Sequence, residues 1–167
     1  IIIANAAGST INGGAGNDTI ISGAGADTID VGAGADVLVY TATGQTAKTA
    51  VVSGTTALTI ANGFDVISSM VAGDKIDLTA LTANAFTAAG TALSTSIINA
   101  GITGEIALVK GNYVAATGVF TIAAAGADSI LQWDNNGTAV GGDIETIVLV
   151  GFNATGTSTV DGLITLA

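Results

Sequence analysis

Three aspartates recur at nine-residue intervals near the N-terminus of the chain, and each ends a glycine-rich stretch. Residues 13–21 read Gly-Gly-Ala-Gly-Asn-Asp-Thr-Ile-Ile, and residues 22–30 and 31–39 repeat the pattern in the same register. Alternate glycines take positive φ without steric cost, so they allow a tight turn in which carbonyl oxygens point toward a common centre. Carboxylate and carbonyl oxygens, in a chain without His or Cys, are the ligand set of calcium and not of zinc or copper. The sequence therefore predicts that these turns bind calcium.

Each nine-residue unit also carries one large aliphatic residue, two positions after its aspartate. These residues are Ile20, Ile29 and Leu38, and a fixed short period predicts one small unit, with a short strand at its end, stacked on itself. The candidate ligands in the turns are Asp18, Asp27, Asp36, Gly13, Gly14, Ala15, Gly16, Gly23, Ala24, Gly25, Gly32, Ala33 and Gly34. A stack of metal-free corners would explain the glycines but not three aspartates at one position. A dinucleotide-binding loop would need glycine where Thr19 and Thr28 stand.

The units resemble the nonapeptide repeat of the RTX family, G-G-x-G-x-D-x-U-x, where U is a large aliphatic residue. This resemblance implies a parallel β-roll in which two units make one coil and calcium binds between turns that lie two units apart. Carried onto this sequence, it places Asp18 and Asp36 around one complete site. Asp27 would lie on the other edge, between the turns around Ser9 and Gln45, which replace the expected aspartate.

The stretch Asp65–Leu81 is similar to a block that follows the repeats in serralysin-type metalloproteases and many RTX proteins. There the block reads D-x-I-x-x-F-x-x-G-x-D-K-I-D-L-S. The resemblance makes Asp65, Asp74 and Asp77 secondary candidates for calcium ligands. The residues alone also allow a turn with Asp74 and Lys75 in solvent and the following aliphatic side chains in the core.

Downstream, the pattern predicts strands over 105–110, 113–116, 118–124, 129–133 and 144–152, with hairpin turns at Gly111–Asn112 and 134–137. A short helix over 83–89 is compatible with the Ala- and Thr-rich segment before them. Residues 133–137 resemble a hairpin near the end of many RTX domains, and residues 160–167 resemble the uncleaved C-terminal signal of type I secretion. We therefore expect an all-β chain: a calcium-binding β-roll over 1–57, continuing into a β-sandwich-like part over 58–167.

The composition narrows the function. The 167 residues include three Lys, no Arg and thirteen acids, a net charge of −10, and only 10% are charged, against about 25% in ordinary domains. Nucleic acid needs a basic footprint, so it is not expected as a partner. No apolar run is long enough to span a bilayer. The chain has no initiating Met and the repeats are in phase by Ala4, which predicts a longer repetitive parent protein.

Three classes of parent protein fit these features. The Ala-, Thr- and Gly-rich composition resembles bacterial surface-layer (S-layer) proteins, so we expect a secreted, non-catalytic domain at the cell surface. In that protein calcium would drive folding and assembly into a homo-oligomeric lattice. The alternatives are the same domain in a type I-secreted hydrolase, such as a serralysin-like protease, or in an RTX adhesin. A hydrolase would carry its chemistry elsewhere, because no His is available as a general base.

Overall fold

The computed structural model describes residues 1–42, 44–46, 48–49, 57–59, 63–84, 106–134, 144–153, 157–160 and 162–167. The N-terminal strands among them are β1 (Ile2–Ile3), β2 (Thr10–Asn12), β3 (Thr19–Ile21), β4 (Thr28–Asp30), β5 (Val37–Val39), β6 (Lys48–Thr49), β7 (Ala57–Thr59), β8 (Asp65–Ser68) and β9 (Lys75–Asp77). The later strands are β10 (Ile106–Val114), β11 (Val119–Ile122), β12 (Asp128–Asp134), β13 (Ile144–Val150), β14 (Thr157–Val160) and β15 (Leu163–Leu166). The predicted all-β fold is confirmed.

One 3-10 helix, Thr79–Asn84, follows β9. It overlaps only the first residues of the helix that the sequence allowed over 83–89. Residues 85–89 lie outside the described part of the chain, as do residues 135–137 of the expected turn after β12.

The repeats wind into a roll with strands on two sheets. In the first sheet β1, β3 and β5 pair in parallel, with Ile2 opposite Ile20 and Ile20 opposite Leu38. In the second sheet β2 pairs in parallel with β4, with Ile11 opposite Ile29. Partners on adjacent coils are 18 residues apart. Two nine-residue units therefore make one coil, as the family resemblance implies.

The stack continues beyond the recognisable repeats. β8 pairs in parallel with β4, and β9 with β5, so Ile67 lies opposite Ile29 and Ile76 opposite Leu38. Here the partners are 38 residues apart, which is 20 more than the 18 of the earlier coils. The chain thus leaves the roll after Tyr40 and re-enters it in register near Asp65.

The eighth residue of every unit fills the space between the two sheets. These side chains are buried in one hydrophobic cluster: Ile11, Ile20, Ile29, Leu38, Ile67 and Ile76. Each fully buried Ile or Leu contributes about 1.5–3 kcal/mol relative to exposure. Strands of three residues bury only one such side chain each, so the stack gains stability only as coils accumulate.

The C-terminal strands extend both sheets of the roll. β15 and β14 continue the first sheet in antiparallel pairing beside β9. β13 pairs in parallel with β8, followed by antiparallel β12, β10, β11 and β7, while β6 also pairs with β13. The other face of the second sheet carries a separate buried cluster that includes Val109, Phe120, Ile130 and Val148. The predicted β-roll that continues into a sandwich-like part is confirmed.

The hairpin turn predicted at Gly111–Asn112 is wrong. β10 runs through both residues, and the chain turns at 115–118, where the Gly118 N–H donates to the Val114 carbonyl at 2.9 Å. Gly111 is needed for a different reason. A Cβ there would lie 2.5 Å from the ring of Phe120 and 2.3 Å from the Thr121 carbonyl oxygen, so the glycine lets the strands pack closely around an aromatic side chain.

Candidate calcium site

The aspartates at the sixth position of the units form two columns, one on each edge of the roll. In each step one aspartate accepts a hydrogen bond, through Oδ1, from the backbone N–H of the sixth residue one coil earlier. The four steps are Ser9 to Asp27 at 2.6 Å, Asp18 to Asp36 at 2.8 Å, Asp27 to Asp65 at 2.9 Å and Asp36 to Asp74 at 2.9 Å. We call this series the aspartate ladder. Its charge-assisted bonds are stronger than neutral ones and fix the register of the stack.

The first edge carries the turns 13–18, 31–36 and 69–74. The turns 13–18 and 31–36 contact each other through their backbones. The Gly16 N–H donates to the Ala33 carbonyl and the Ala33 N–H donates to the Gly14 carbonyl, both at 2.8 Å. Ala15 and Ala33 form an isolated parallel bridge, with exposed side chains. The amide oxygen of Asn17 accepts a bond from the Ala35 N–H at 3.0 Å. The two turns are therefore nearly superimposed one coil apart.

Glycine is required where these turns meet. Gly32 has φ +93°, and a Cβ there would lie 2.0 Å from the Gly14 carbonyl oxygen. At Gly34 a Cβ would lie 2.1 Å from the Gly16 carbonyl oxygen, and at Gly13 it would lie 2.2 Å from that of Val31. Only glycine admits carbonyl oxygens this close to the next backbone. The turns therefore pack backbone against backbone, one coil apart.

Asp36 is the buried aspartate of this edge whose bonding is incomplete. Its side chain is 1% exposed, and none of the described residues donates a hydrogen bond to its buried Oδ2. No described residue donates a hydrogen bond to the carboxylate of Asp18, which is partly exposed. A buried unsatisfied polar atom costs about 1–3 kcal/mol, and a charged one costs more. A cation at this edge would compensate the cost.

The donor set at this edge fits calcium. Among the described residues no group of three or more acidic, His or Cys side chains lies together, so a bound ion would take its remaining ligands from backbone carbonyls. Calcium accepts six to eight oxygen ligands of mixed type in flexible geometry. Asp18 and Asp36 would supply the carboxylate oxygens and the glycine turns the carbonyl oxygens.

The second edge carries the turns 4–9 and 22–27 and, one coil further on, Asp65. Gly23, Ala24 and Gly25 stack on the turn above: a Cβ at Gly23 would lie 1.8 Å from the Asn5 carbonyl oxygen, and one at Gly25 2.5 Å from the Gly8 nitrogen. The Ala24 carbonyl accepts a bond from the Gly8 N–H at 3.3 Å. The glycine geometry of this edge therefore matches that of the first edge.

The carboxylates of the second edge, unlike Asp36, have hydroxyl partners. Tyr40 donates its hydroxyl to Oδ2 of Asp65 at 2.7 Å, and Ser22 donates its own at 3.1 Å. The Ser22 hydroxyl also lies 3.3 Å from Oδ2 of Asp27. Burial raises the pKa of Asp65 to about 6, although hydrogen bonds from Asp27, Tyr40 and Ser22 oppose the rise. Burial, with the charge of Asp65 second, also raises the pKa of Tyr40 well above its usual range.

Asp65, and not Gln45, is the partner that stacks below Asp27, which corrects the expectation from counting units. Gln45 lies beside the turn instead. Its Oε1 accepts the N–H groups of Thr41 and Ala42 at 2.5 and 2.7 Å, and its Nε2 donates to the Ser22 carbonyl. The chain leaves the roll after Tyr40. Counting in steps of nine residues therefore no longer predicts which residue occupies the sixth position of the next turn.

Asp74 and Asp77 have internal partners. Asp74 is fully buried, its Oδ1 is in the ladder, and its Oδ2 accepts the Val71 N–H of its own turn at 2.9 Å. The alternative that placed Asp74 in solvent is therefore wrong. Asp77 is partly exposed and accepts the Thr79 N–H at 2.9 Å.

Asp65 and Asp74 lie nine residues apart, each two positions before a buried Ile, so their spacing indicates one further coil of the roll. No sequence signal pointed to Ser22 and Tyr40.

Comparisons with known proteins address the repeats directly. Residues 3–38 match the family model of the RTX calcium-binding nonapeptide repeat, in 4 copies. Among solved structures, the chain is similar to the AlgE6R3 subunit of the Azotobacter vinelandii mannuronan C5-epimerase, with a TM-score of 0.42 and 21% identity. That match covers 86% of this chain and 66% of the other, so the chain spans slightly under two thirds of that structure's length. No curated protein matches the chain. Within the described ranges, no helix has the length and apolarity needed to cross a membrane.

Proposed function

We propose, from the premise that residues 3–38 are RTX calcium-binding nonapeptide repeats, that the chain is a calcium-dependent folding and assembly domain. Its principal ion is held at the first edge, between the turns 13–18 and 31–36. The observation that carries this proposal is the buried Oδ2 of Asp36, which has no hydrogen-bond partner in the described part of the chain. Asp18 lies one coil away, and its N–H already binds the other oxygen of the same carboxylate.

Calcium would act on folding through charge and through mass action. Asp18, Asp36 and Asp74 follow one another down the first edge, and the net charge of the chain is −10. A bound divalent cation relieves this repulsion. An ion that binds only the folded state at a hundredfold excess over its Kd stabilises that state by about 2.7 kcal/mol. The short strands of the roll depend on this contribution.

The parent protein we propose is a secreted bacterial S-layer protein, in which this domain is non-catalytic and assembles with copies of itself at the cell surface. RTX repeats are typical of secreted proteins. The low fraction of charged residues, 10%, favours surfaces that pack against neighbours once calcium has lowered the negative charge. Calcium would then control both folding and assembly.

Light scattering of the full-length parent protein, followed by negative-stain microscopy, tests the proposal. We expect ordered sheets when calcium is added and dispersal when EGTA removes it. Asp36→Asn should weaken both responses, whereas Asp77→Asn, which removes the same charge from a residue outside the turns, should leave them intact. A folded, calcium-loaded protein that stays monomeric at high concentration would contradict the S-layer role and support the hydrolase or adhesin alternative.

A further inference from the structure

We infer that the second edge of the roll closes without metal between the turn 22–27 and Asp65. There the hydroxyls of Tyr40 and Ser22 and the amide of Gln45 supply the positive charge that we assign to calcium at the first edge. This inference rests on the proposed function for the contrast between the edges. It adds that the contact between these two levels of the second edge is independent of calcium.

The carboxylate oxygens carry the contrast. Among the described residues, Oδ2 of Asp36 at the first edge is buried and has no hydrogen-bond partner. At the second edge Oδ2 of Asp65 accepts the hydroxyl proton of Tyr40 at 2.7 Å. The Ser22 hydroxyl, with its single proton, lies between the two carboxylates, 3.1 Å from Oδ2 of Asp65 and 3.3 Å from Oδ2 of Asp27. Each Oδ2 at the second edge therefore has a hydroxyl within hydrogen-bond distance.

A main-chain oxygen of the same turn is also occupied. The Ser22 carbonyl, at the first position of its unit, accepts a bond from Nε2 of Gln45. Gln45 is held in place because its Oε1 accepts the N–H groups of Thr41 and Ala42. A neutral amide thus donates to a main-chain oxygen of this turn. Both hydroxyl and amide donors place positive hydrogen atoms at these oxygens.

These donors are held in place, because the side chains that carry them are packed in the protein core. Tyr40 is fully buried, and its ring lies 5.3 Å from that of Trp133, centroid to centroid. Trp133 donates its Nε1 proton to Glu145 at 2.6 Å. The Asp65 N–H donates to Oγ1 of Thr46 at 3.1 Å. These hydrogen bonds are therefore continuous with β12 and β13, and calcium removal should loosen the first-edge turns while leaving the contact between Asp27 and Asp65 intact.

The number of calcium ions bound by the whole chain tests the inference. Isothermal titration calorimetry should show that Asp36→Asn removes the principal site. Asp65→Asn, which keeps the size and the Oδ1 acceptor of the native residue, should leave the stoichiometry unchanged. Loss of an ion from Asp65→Asn, with the ion of Asp36 still present, would overturn the inference and leave the proposed function intact. Conversely, a wild-type protein that binds no calcium would overturn the proposed function.

The hydrogen bonds that close the second edge can also be tested by thermal unfolding, which does not depend on calcium binding. Tyr40→Phe removes one oxygen from a buried hydrogen-bonded pair and should lower the melting temperature by about 3–10 °C, equally in EGTA and in calcium. Tyr113→Phe is the matched control, because that tyrosine is only partly buried, and it should change little. A Tyr40→Phe effect that vanishes when calcium is added would overturn the inference, since it would show that an ion stabilises the same oxygens.

Discussion

Replacing Asp36 with asparagine should change stability in opposite directions with and without calcium. The variant keeps an acceptor for the Asp18 N–H, which lies 2.8 Å from Oδ1, but removes the charge from the buried, unpartnered Oδ2. Without metal, a buried charge with an unsatisfied oxygen costs more than a neutral amide in the same place. We therefore expect Asp36→Asn to raise the free energy of unfolding in EGTA by about 1 kcal/mol.

In calcium the same variant should be destabilised. At a hundredfold excess of calcium over Kd, binding contributes about 2.7 kcal/mol to the native protein. If the lost carboxylate raises Kd tenfold to a hundredfold, that contribution falls to about 1.4 or about 0.4 kcal/mol. The net loss in calcium is then about 0.3–1.3 kcal/mol, after the gain from charge removal is subtracted.

Urea unfolding, followed by the fluorescence of the single tryptophan, Trp133, measures both values because that side chain is buried in the core. Asp77→Asn is the control, since Asp77 is partly exposed and its side chain accepts the Thr79 N–H of the next turn. It should shift the unfolding free energy by less than about 0.5 kcal/mol in either condition. If Asp36→Asn shifts stability by the same amount and in the same direction with EGTA and with calcium, our assignment of the ion to Asp36 is wrong.

Three further predictions concern the turns and the buried acid. In thermal unfolding, Gly32→Ala should destabilise the calcium-bound roll far more than Gly14→Ala. Both glycines have φ near +92°, but of the two only Gly32 would place its Cβ against a carbonyl oxygen, at 2.0 Å. In calorimetry, Asp18→Ala should reduce calcium affinity more than Asp27→Ala, because hydroxyl and backbone donors already bond Asp27; equal losses would contradict the pairing. Asp65 has a pKa of about 6 in the folded state against about 3.9 in an unfolded chain, so it binds its proton more tightly when the protein is folded. Its contribution to stability therefore falls by about 2 kcal/mol as pH rises from 4 to 6. Asp65→Asn should therefore gain stability relative to the native protein over that range in EGTA, and parallel pH curves would refute this.

The parts of the fold that repeat locally could be predicted from the sequence. The phase of Asp18 and Asp36 and the buried Ile20 follow from a nine-residue period, and the resemblance to the RTX repeat implies the 18-residue separation between coils. The contact between Tyr40 and Asp65 could not be predicted, because the period is interrupted between them and nothing local says where the chain re-enters the roll. The expectation that the turn around Gln45 stacks next to Asp27, which came from counting nine-residue units, was wrong for the same reason.

Tertiary packing explains the other failed prediction. Gly-Asn is a strong turn signal, yet Gly111 and Asn112 lie in the middle of β10. Gly111 is opposite Asp128 on one side and Ile122 on the other, and the ring of Phe120 occupies the space a side chain would need. The packing of an aromatic residue from a neighbouring strand therefore decides the role of that glycine.

The return of the chain to the roll in register makes the excursion after Tyr40 a natural place to graft other sequences. Coil pairing is restored at Asp65 by the ladder bond from the Asp27 N–H, which depends on the backbone of the coil above and not on the length of the connection. Each doubling of a flexible connection costs only about 0.6 kcal/mol of closure entropy. A peptide or small domain inserted between β6 and β7 would therefore cost the roll little stability.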